Sequence, residues 1–206
     1  MPSQTITIKY TPEKRLSLLD ATTKQPLYHV KVSRQVPQME MIRLAGSQEG
    51  RNDNHAIPAD EESYFESRVC TAQFKMTSLD VKLRIREHRD VELKRKKIPS
   101  TSYSFVSPAL SMGDRLSPTV LTWETDSENN AVGNFRLVVE RQLESEREVL
   151  VRFRNEAFSN ELVGTFDITD GGLDQLVKDE AVISGLAMLA MNQSFNLAGM
   201  VMFGRS

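Results

Sequence analysis

After Glu180 the chain carries no charged side chain until Arg205, and the intervening run reads AVISGLAMLAMNQSFNLAGMVMFG. About 20 predominantly apolar residues can cross the hydrocarbon core of a bilayer. The run therefore has to be a membrane anchor, an interface helix or a helix enclosed by the rest of the fold. Asn192, Gln193, Ser194 and Asn196 would fall near the middle of a bilayer, where unpaired amides are costly. Gly185, Gly199 and Gly204 favour close approach of other backbone. Val182, Ile183, Leu186, Ala187, Met188, Leu189 and Met191 cover every side of a helix, and such a helix must be surrounded by apolar material. The expectation is a core helix over about 173–191 and no transmembrane segment. Asp170, in the turn Asp170-Gly171-Gly172, is the expected cap, and Leu197 to Phe203 would return as a final strand or helix.

Most of the preceding chain alternates apolar and polar residues with a period of two. Ile6, Ile8 and Tyr10 do so, then Leu16 and Leu18, then Tyr28, Val30 and Val32 opposite Leu27, His29 and Lys31. Met39 to Leu44, Val81 to Ile85, Tyr103 to Val106, Val120 to Trp123, Phe135 to Val139, Val149 to Phe153 and Val163 to Ile168 extend the series. A polar stretch at 46–62 reads as a long loop. The count is roughly nine to twelve strands before any convincing helix, which points to a large sheet, sandwich or barrel rather than to alternating βαβ units. Strands in that number can supply a closed wall, and the apolar helix would fill it. The 206 residues, 39% of them hydrophobic, are expected to form a single domain, 1–206.

Charge and cysteine content narrow the function classes. Lys and Arg total 26 against 28 Asp and Glu, a net charge of −2, so no general attraction to nucleic acid is expected. Cys70 is the single cysteine and cannot close an intramolecular disulfide. With no secretory layout at the start MPSQTITIKY, the expected location is cytoplasmic, with peripheral attachment to a membrane as a further expectation. Cys70 lies in an apolar-polar run without a nearby His, and reads as a small buried residue rather than a catalytic thiol.

The strings LTWETD (Leu121 to Asp126), GNFRLV (Gly133 to Val138), VLVRF (Val149 to Phe153), GTFDI (Gly164 to Ile168) and LDQLVKDEAVISGLAML (Leu173 to Leu189) occur in that order. In this the chain resembles the tubby C-terminal-like superfamily, especially its small fungal members; the superfamily also includes phospholipid scramblases and LURP-one-related proteins. PLYHVKV (Pro26 to Val32) is similar to an early strand of that family. The resemblance implies a mainly β fold, an α+β arrangement in which about twelve strands close into a barrel around a hydrophobic C-terminal helix. It also implies membrane association or phosphoinositide binding as a candidate function, without assigning contact residues to positions in this chain.

Chemistry concentrates in KLRIREHRDVELKRKK (Lys82 to Lys97). Val81, Leu83 and Ile85 would face the core while Lys82, Arg84 and Arg86 face outward, followed by His88, Arg89 and the run Lys94, Arg95, Lys96, Lys97. Guanidinium and ammonium groups in such density suit phosphate and anionic lipid headgroups. The plainer reading is a solvated strand face and a charged loop, partly neutralised by Glu87, Asp90 and Glu92. His29, His55 and His88 are far apart and no metal-ligand spacing occurs, so no metal or other cofactor is expected. No nucleophile elbow or phosphate-binding loop is present. Glu124 and Asp126 follow Trp123 and ordinarily would end a strand, although an acid-base pair lining a pocket needs the same residue types. The reading that follows is a non-enzymatic binding protein for a phospholipid headgroup or a partner protein, with Lys82, Arg84, Arg86 and Lys94 to Lys97 as its surface. The alternative is a cofactor-independent cyclase or isomerase, or a carrier of an apolar small molecule. It would use a cavity between barrel wall and helix near Tyr103, Phe105, Trp123 and Glu124.

Overall fold

Alternating side chains on most strands give the wall one apolar and one polar face, and closing it removes the exposed edges that an open sheet would leave. The computed structural model describes residues 4–11, 13, 15–44, 67–75, 77–86, 89–96, 102–112, 118–126, 133–140, 147–156, 161–169 and 173–192. It has twelve strands: β1 (Gln4–Tyr10), β2 (Arg15–Asp20), β3 (Pro26–Val32), β4 (Met39–Arg43), β5 (Ser67–Lys75), β6 (Asp80–Ile85), β7 (Arg89–Lys96), β8 (Ser102–Val106), β9 (Val120–Thr125), β10 (Phe135–Glu140), β11 (Glu148–Asn155) and β12 (Leu162–Ile168), followed by the helix α1 (Gln175–Met191). Each strand pairs antiparallel with its neighbours in sequence, and β1 pairs with β12 to close the barrel. The loop expected at 46–62 and the expected return over Leu197 to Phe203 lie outside the described residues.

The inward faces are the apolar halves of the alternation. Ile6 and Ile8, Leu16 and Leu18, Met39 and Met41, Val81, Leu83 and Ile85, and Phe166 and Ile168 are all almost wholly buried in one core with the helix. Strand β7 was not among the expected strands, because Val91 and Leu93 are its only buried apolar residues. Arg89 and Arg95, at its two ends, share their parity. Register shifts between Ile8 and Lys9, Leu18 and Leu19, Met41 and Ile42, and Leu137 and Val138 bend the wall, as extra residues in a paired strand do.

Helix α1 fills the barrel: Val177 and every residue from Asp179 to Met191 are buried. Its cap is Asp174 rather than the expected Asp170. The Asp174 carboxylate accepts a hydrogen bond from Leu176 N at 2.7 Å, satisfying one of the donors that a helix start leaves without an intrahelical partner. At the other end the Asn192 backbone N–H reaches Met188 O at 3.0 Å. Close packing is set by Gly185. A Cβ there would lie 2.8 Å from a ring carbon of Phe166 and 2.9 Å from one of Trp123. Among the described residues no helix is long and apolar enough to cross a membrane.

Candidate functional site: a basic groove on the outer wall

Strands β5 and β6 build the site. On β6 the inward residues Val81, Leu83 and Ile85 anchor the strand in the core, so Lys82 and Arg84 must project outward, and Arg86 follows at the turn. On β5 the inward residues are Cys70, Ala72 and Phe74, while Thr71 and Gln73 face out. The register between β4 and β5 slips between Met41, paired with Cys70, and Ile42, paired with Arg68. Val69 is the extra residue, and Val69 and Cys70 are consequently buried in succession. The outer face here is concave, with a volume of about 230 Å³. Val36 and Pro37 of the β3–β4 connection, Arg68, Thr71 and Gln73 of β5, and Lys82, Arg84 and Arg86 line it, with no carboxylate in the lining among the described residues.

Two carboxylates at its margin partly balance the four cations. Glu40 lies 3.2 Å from Arg68, and Asp90 lies 2.8 Å from Lys82 and 3.0 Å from Arg84. Among the described residues, four positive charges against two negative leave an excess of two. The hydrogen bond from Arg84, followed by that from Lys82, holds the Asp90 carboxyl below its ordinary range, and Asp90 in turn raises Arg84. These groups are solvent-exposed, so the pairs organise the surface more than they stabilise the fold. Arg86 has no ion-pair partner among the described residues. Its backbone adopts φ 39°, a conformation that a non-glycine residue rarely takes. Val36, at the rim, is 60% exposed.

The remaining expected cations do not join this groove. Strand β7 presents Asp90, Glu92, Lys94 and Lys96 outward, and the register sets Glu92 opposite Lys82 and Asp90 opposite Arg84. An acidic row therefore separates the groove from Lys94, which lies 3.5 Å from Glu92. Arg95 has the inward parity of Val91 and Leu93, and its Nε is buried. Lys97 lies outside the described residues. Arg68 belongs to the groove but was not among the expected residues. Its only sequence signal was its place in a strand whose pairing slips by one residue.

The residues expected to line an interior cavity divide in two. Tyr103, Phe105 and Trp123 are buried in the core. Trp123 packs on Phe166 with ring centroids 6.0 Å apart, and its Nε1 donates to Ser184 Oγ of the helix at 2.9 Å. Glu124 alternates to the outside, where Arg136 donates to it at 2.9 Å and Arg147 at 3.1 Å. It therefore cannot line the interior. Asp126 accepts from Arg152 at 2.6 Å, so each of the two carboxylates that follow Trp123 is engaged by arginine.

A second polar cluster was not foreseen: the helix residues Asp179 and Glu180 are both fully buried. Asp179 accepts from Tyr28 Oη at 2.9 Å, from Gln175 Nε2 at 3.2 Å and from Arg43. Glu180 accepts from Ser107 Oγ and, at 3.0 Å, from Ala109 N. Burial pushes both carboxyls above their ordinary range, against the lowering effect of Arg43 on Asp179 and of Ser107 on Glu180. Burial next to Asp179 also drives Tyr28 well upward, and burial raises the Cys70 thiol, which disfavours its thiolate form. A scan against protein-family models, a search of curated proteins and a search of solved structures each returned no match to this chain.

Proposed function

We propose that this is a non-enzymatic, intracellular binding protein that attaches peripherally to membranes through the groove on β5 and β6. The ligand is the phosphorylated headgroup of an anionic phospholipid. The observation that carries the reading is that, among the described residues, a concave site has an excess of two positive charges and no carboxylate in its lining. Guanidinium groups offer paired donors that match phosphate oxygens, and basic surfaces gain affinity near an anionic leaflet. The exposed Val36 at the rim supplies an apolar contact beside them. The resemblance to the tubby C-terminal-like superfamily, which includes phosphoinositide binders, supports the same direction. An interior cavity serving an isomerase or a carrier draws less support, because Trp123 is hydrogen-bonded and packed against the helix.

Vesicle flotation tests the reading. Phosphatidylcholine vesicles doped with phosphatidylinositol bisphosphate should carry the protein upward, and undoped vesicles should not. Lys82→Glu with Arg84→Glu should abolish flotation, whereas Lys94→Glu with Lys96→Glu, beyond the acidic row, should only weaken it. Flotation indifferent to the first pair removes the groove as the binding surface. Binding of an acidic peptide without any binding of vesicles would reassign the groove to a protein partner.

A further inference from the structure

A lone exposed valine is ordinary on a protein surface, but Val36 stands where other features coincide. Among the described residues two large apolar side chains are exposed, Val36 at 60% and Val106 at 45%, and of the two Val36 lines the basic groove. It sits on the connection between β3 and β4, 33–38, whose sequence is SRQVPQ. The period-two alternation breaks off there, so the strand pattern does not turn this side chain into the core.

The loop is fastened at its base and leaves little free backbone at its tip. Ser33 N donates to Gln38 O at 2.9 Å, which closes the loop. Ser33 Oγ donates to Gln35 O at 2.8 Å and lies 3.5 Å from Pro37 O. The carbonyls of the residues on either side of Val36 thus face one hydroxyl, and Pro37 has no N–H to satisfy. Backbone polar groups that enter an apolar phase are costly unless the protein itself satisfies them. This tip therefore leaves water at lower cost than an ordinary loop.

Its position is set by the strands beneath it. Phe74 N donates to Gln38 Oε1 at 3.1 Å, which holds the loop against β5. The register sets Phe74 opposite Val81 and Gln73 opposite Lys82, so the tip stands at the Lys82 end of the groove. Arg86, whose N–H donates to Val69 O, stands at the other end. Arg34, on the loop itself, is exposed. An apolar tip with cations beside it matches an anionic leaflet, whose phosphates lie directly over its hydrocarbon.

We infer that the β3–β4 connection is a membrane-entering tip: Val36 passes below the phosphates of an anionic bilayer while Lys82 and the neighbouring cations hold the headgroups. The inference rests on the groove reading and deepens it, because it commits the site to a lipid in a bilayer rather than to a free phosphate ester. A soluble headgroup meets only the groove. A bilayer offers the same phosphates together with an apolar phase for Val36, so part of its affinity belongs to that one side chain. Burying a valine side chain is worth roughly ten-fold in a binding constant, at the lower end of the usual range. The barrel end that carries the β3–β4 connection accordingly faces the bilayer.

Depth and affinity test this separately on the full chain. Val36→Cys carries an environment-sensitive fluorophore, and Cys70 is buried and does not compete for the label. On phosphatidylcholine vesicles doped with phosphatidylinositol bisphosphate, the emission should shift to the blue and be quenched by nitroxides on the lipid acyl chains. The same label at Thr23→Cys, in the turn at the opposite end of β3, should respond to neither. For affinity, Val36→Ser removes the apolar contact without changing charge. It should weaken binding to the doped vesicles about ten-fold more than it weakens binding to inositol trisphosphate, the soluble headgroup. Equal losses toward the two ligands, or a label at position 36 that escapes quenching on bound vesicles, overturn the tip and leave the groove standing. Binding of inositol trisphosphate without binding of vesicles assigns the groove to a free phosphate ester and likewise overturns the tip. If neither binds, groove and tip fall together.

Discussion

Replacing Ser184 by alanine isolates the one hydrogen bond that ties the buried indole of the wall to the helix. Ser184 Oγ accepts from Trp123 Nε1 at 2.9 Å and donates to Ala181 O at 3.1 Å, and both side chains are fully buried. Removing the hydroxyl leaves the indole N–H without a partner and without water, at a cost of about 1–3 kcal/mol. Alanine is the better helix former by about 0.5 kcal/mol, which offsets part of that. The expected net loss is about 1–2 kcal/mol. Equilibrium urea unfolding followed by far-ultraviolet circular dichroism reads it as a lower midpoint at unchanged slope. The pairing is tested by adding Trp123→Phe, which removes the donor. In that background Ser184→Ala should cost close to nothing, giving a coupling of about 1–2 kcal/mol. An equal cost in both backgrounds would refute the hydrogen bond as the cause.

Two further outcomes follow from the helix as the filling of the barrel. Gly185→Ala should destabilise by about 1–2 kcal/mol despite the gain in helix propensity, because its Cβ would press on the buried rings of Phe166 and Trp123; a raised unfolding midpoint would contradict this. Truncation after Lys178 should abolish folding. It strips Val182, Ile183, Leu186, Met188, Leu189 and Met191 from the core, each contributing about 1.5–3 kcal/mol against a typical total stability of about 5–15 kcal/mol. A truncated chain with a cooperative unfolding transition would show that the wall stands without its helix.

The barrel was legible wherever period-two alternation was clean, and the helix wherever apolar residues covered all sides. Strand β7 escaped because only Val91 and Leu93 mark its inner face, and its charged mouth residues Arg89 and Arg95 read as part of a loop. The buried acids escaped for a related reason. On a helix enclosed on every side no face is left for solvent, so Asp179 and Glu180, placed at the start of the apolar run, had to be buried with it. A matching cation was also present in the pattern. Arg43 shares the parity of the inward Met39 and Met41, and only the fold shows that it reaches Asp179. For the groove, Lys82, Arg84 and Arg86 were readable as one outward face. Their separation from Lys94 and Lys96 was not, because it depends on the register that places Asp90 and Glu92 between them.

That register explains why a chain of net charge −2 can still carry a basic site. Exposed charges separated by more than roughly 10 Å scarcely feel one another at ordinary ionic strength, so the total charge matters less than the order of residues across neighbouring strands. On β6 every outward position between Val81 and Ile85 is cationic, and β7 answers with Glu92 and Asp90 at the paired positions. Asp90 draws on both Lys82 and Arg84, whereas Glu92 is pulled aside by Lys75 at 2.6 Å and Lys94 at 3.5 Å. One carboxylate is thereby left to balance two cations, and among the described residues Arg68 on the other side pairs with Glu40 alone. The groove's positive character is consequently a local consequence of strand pairing. Removing Lys75 should free Glu92 to face Lys82 and reduce that character without touching a groove residue.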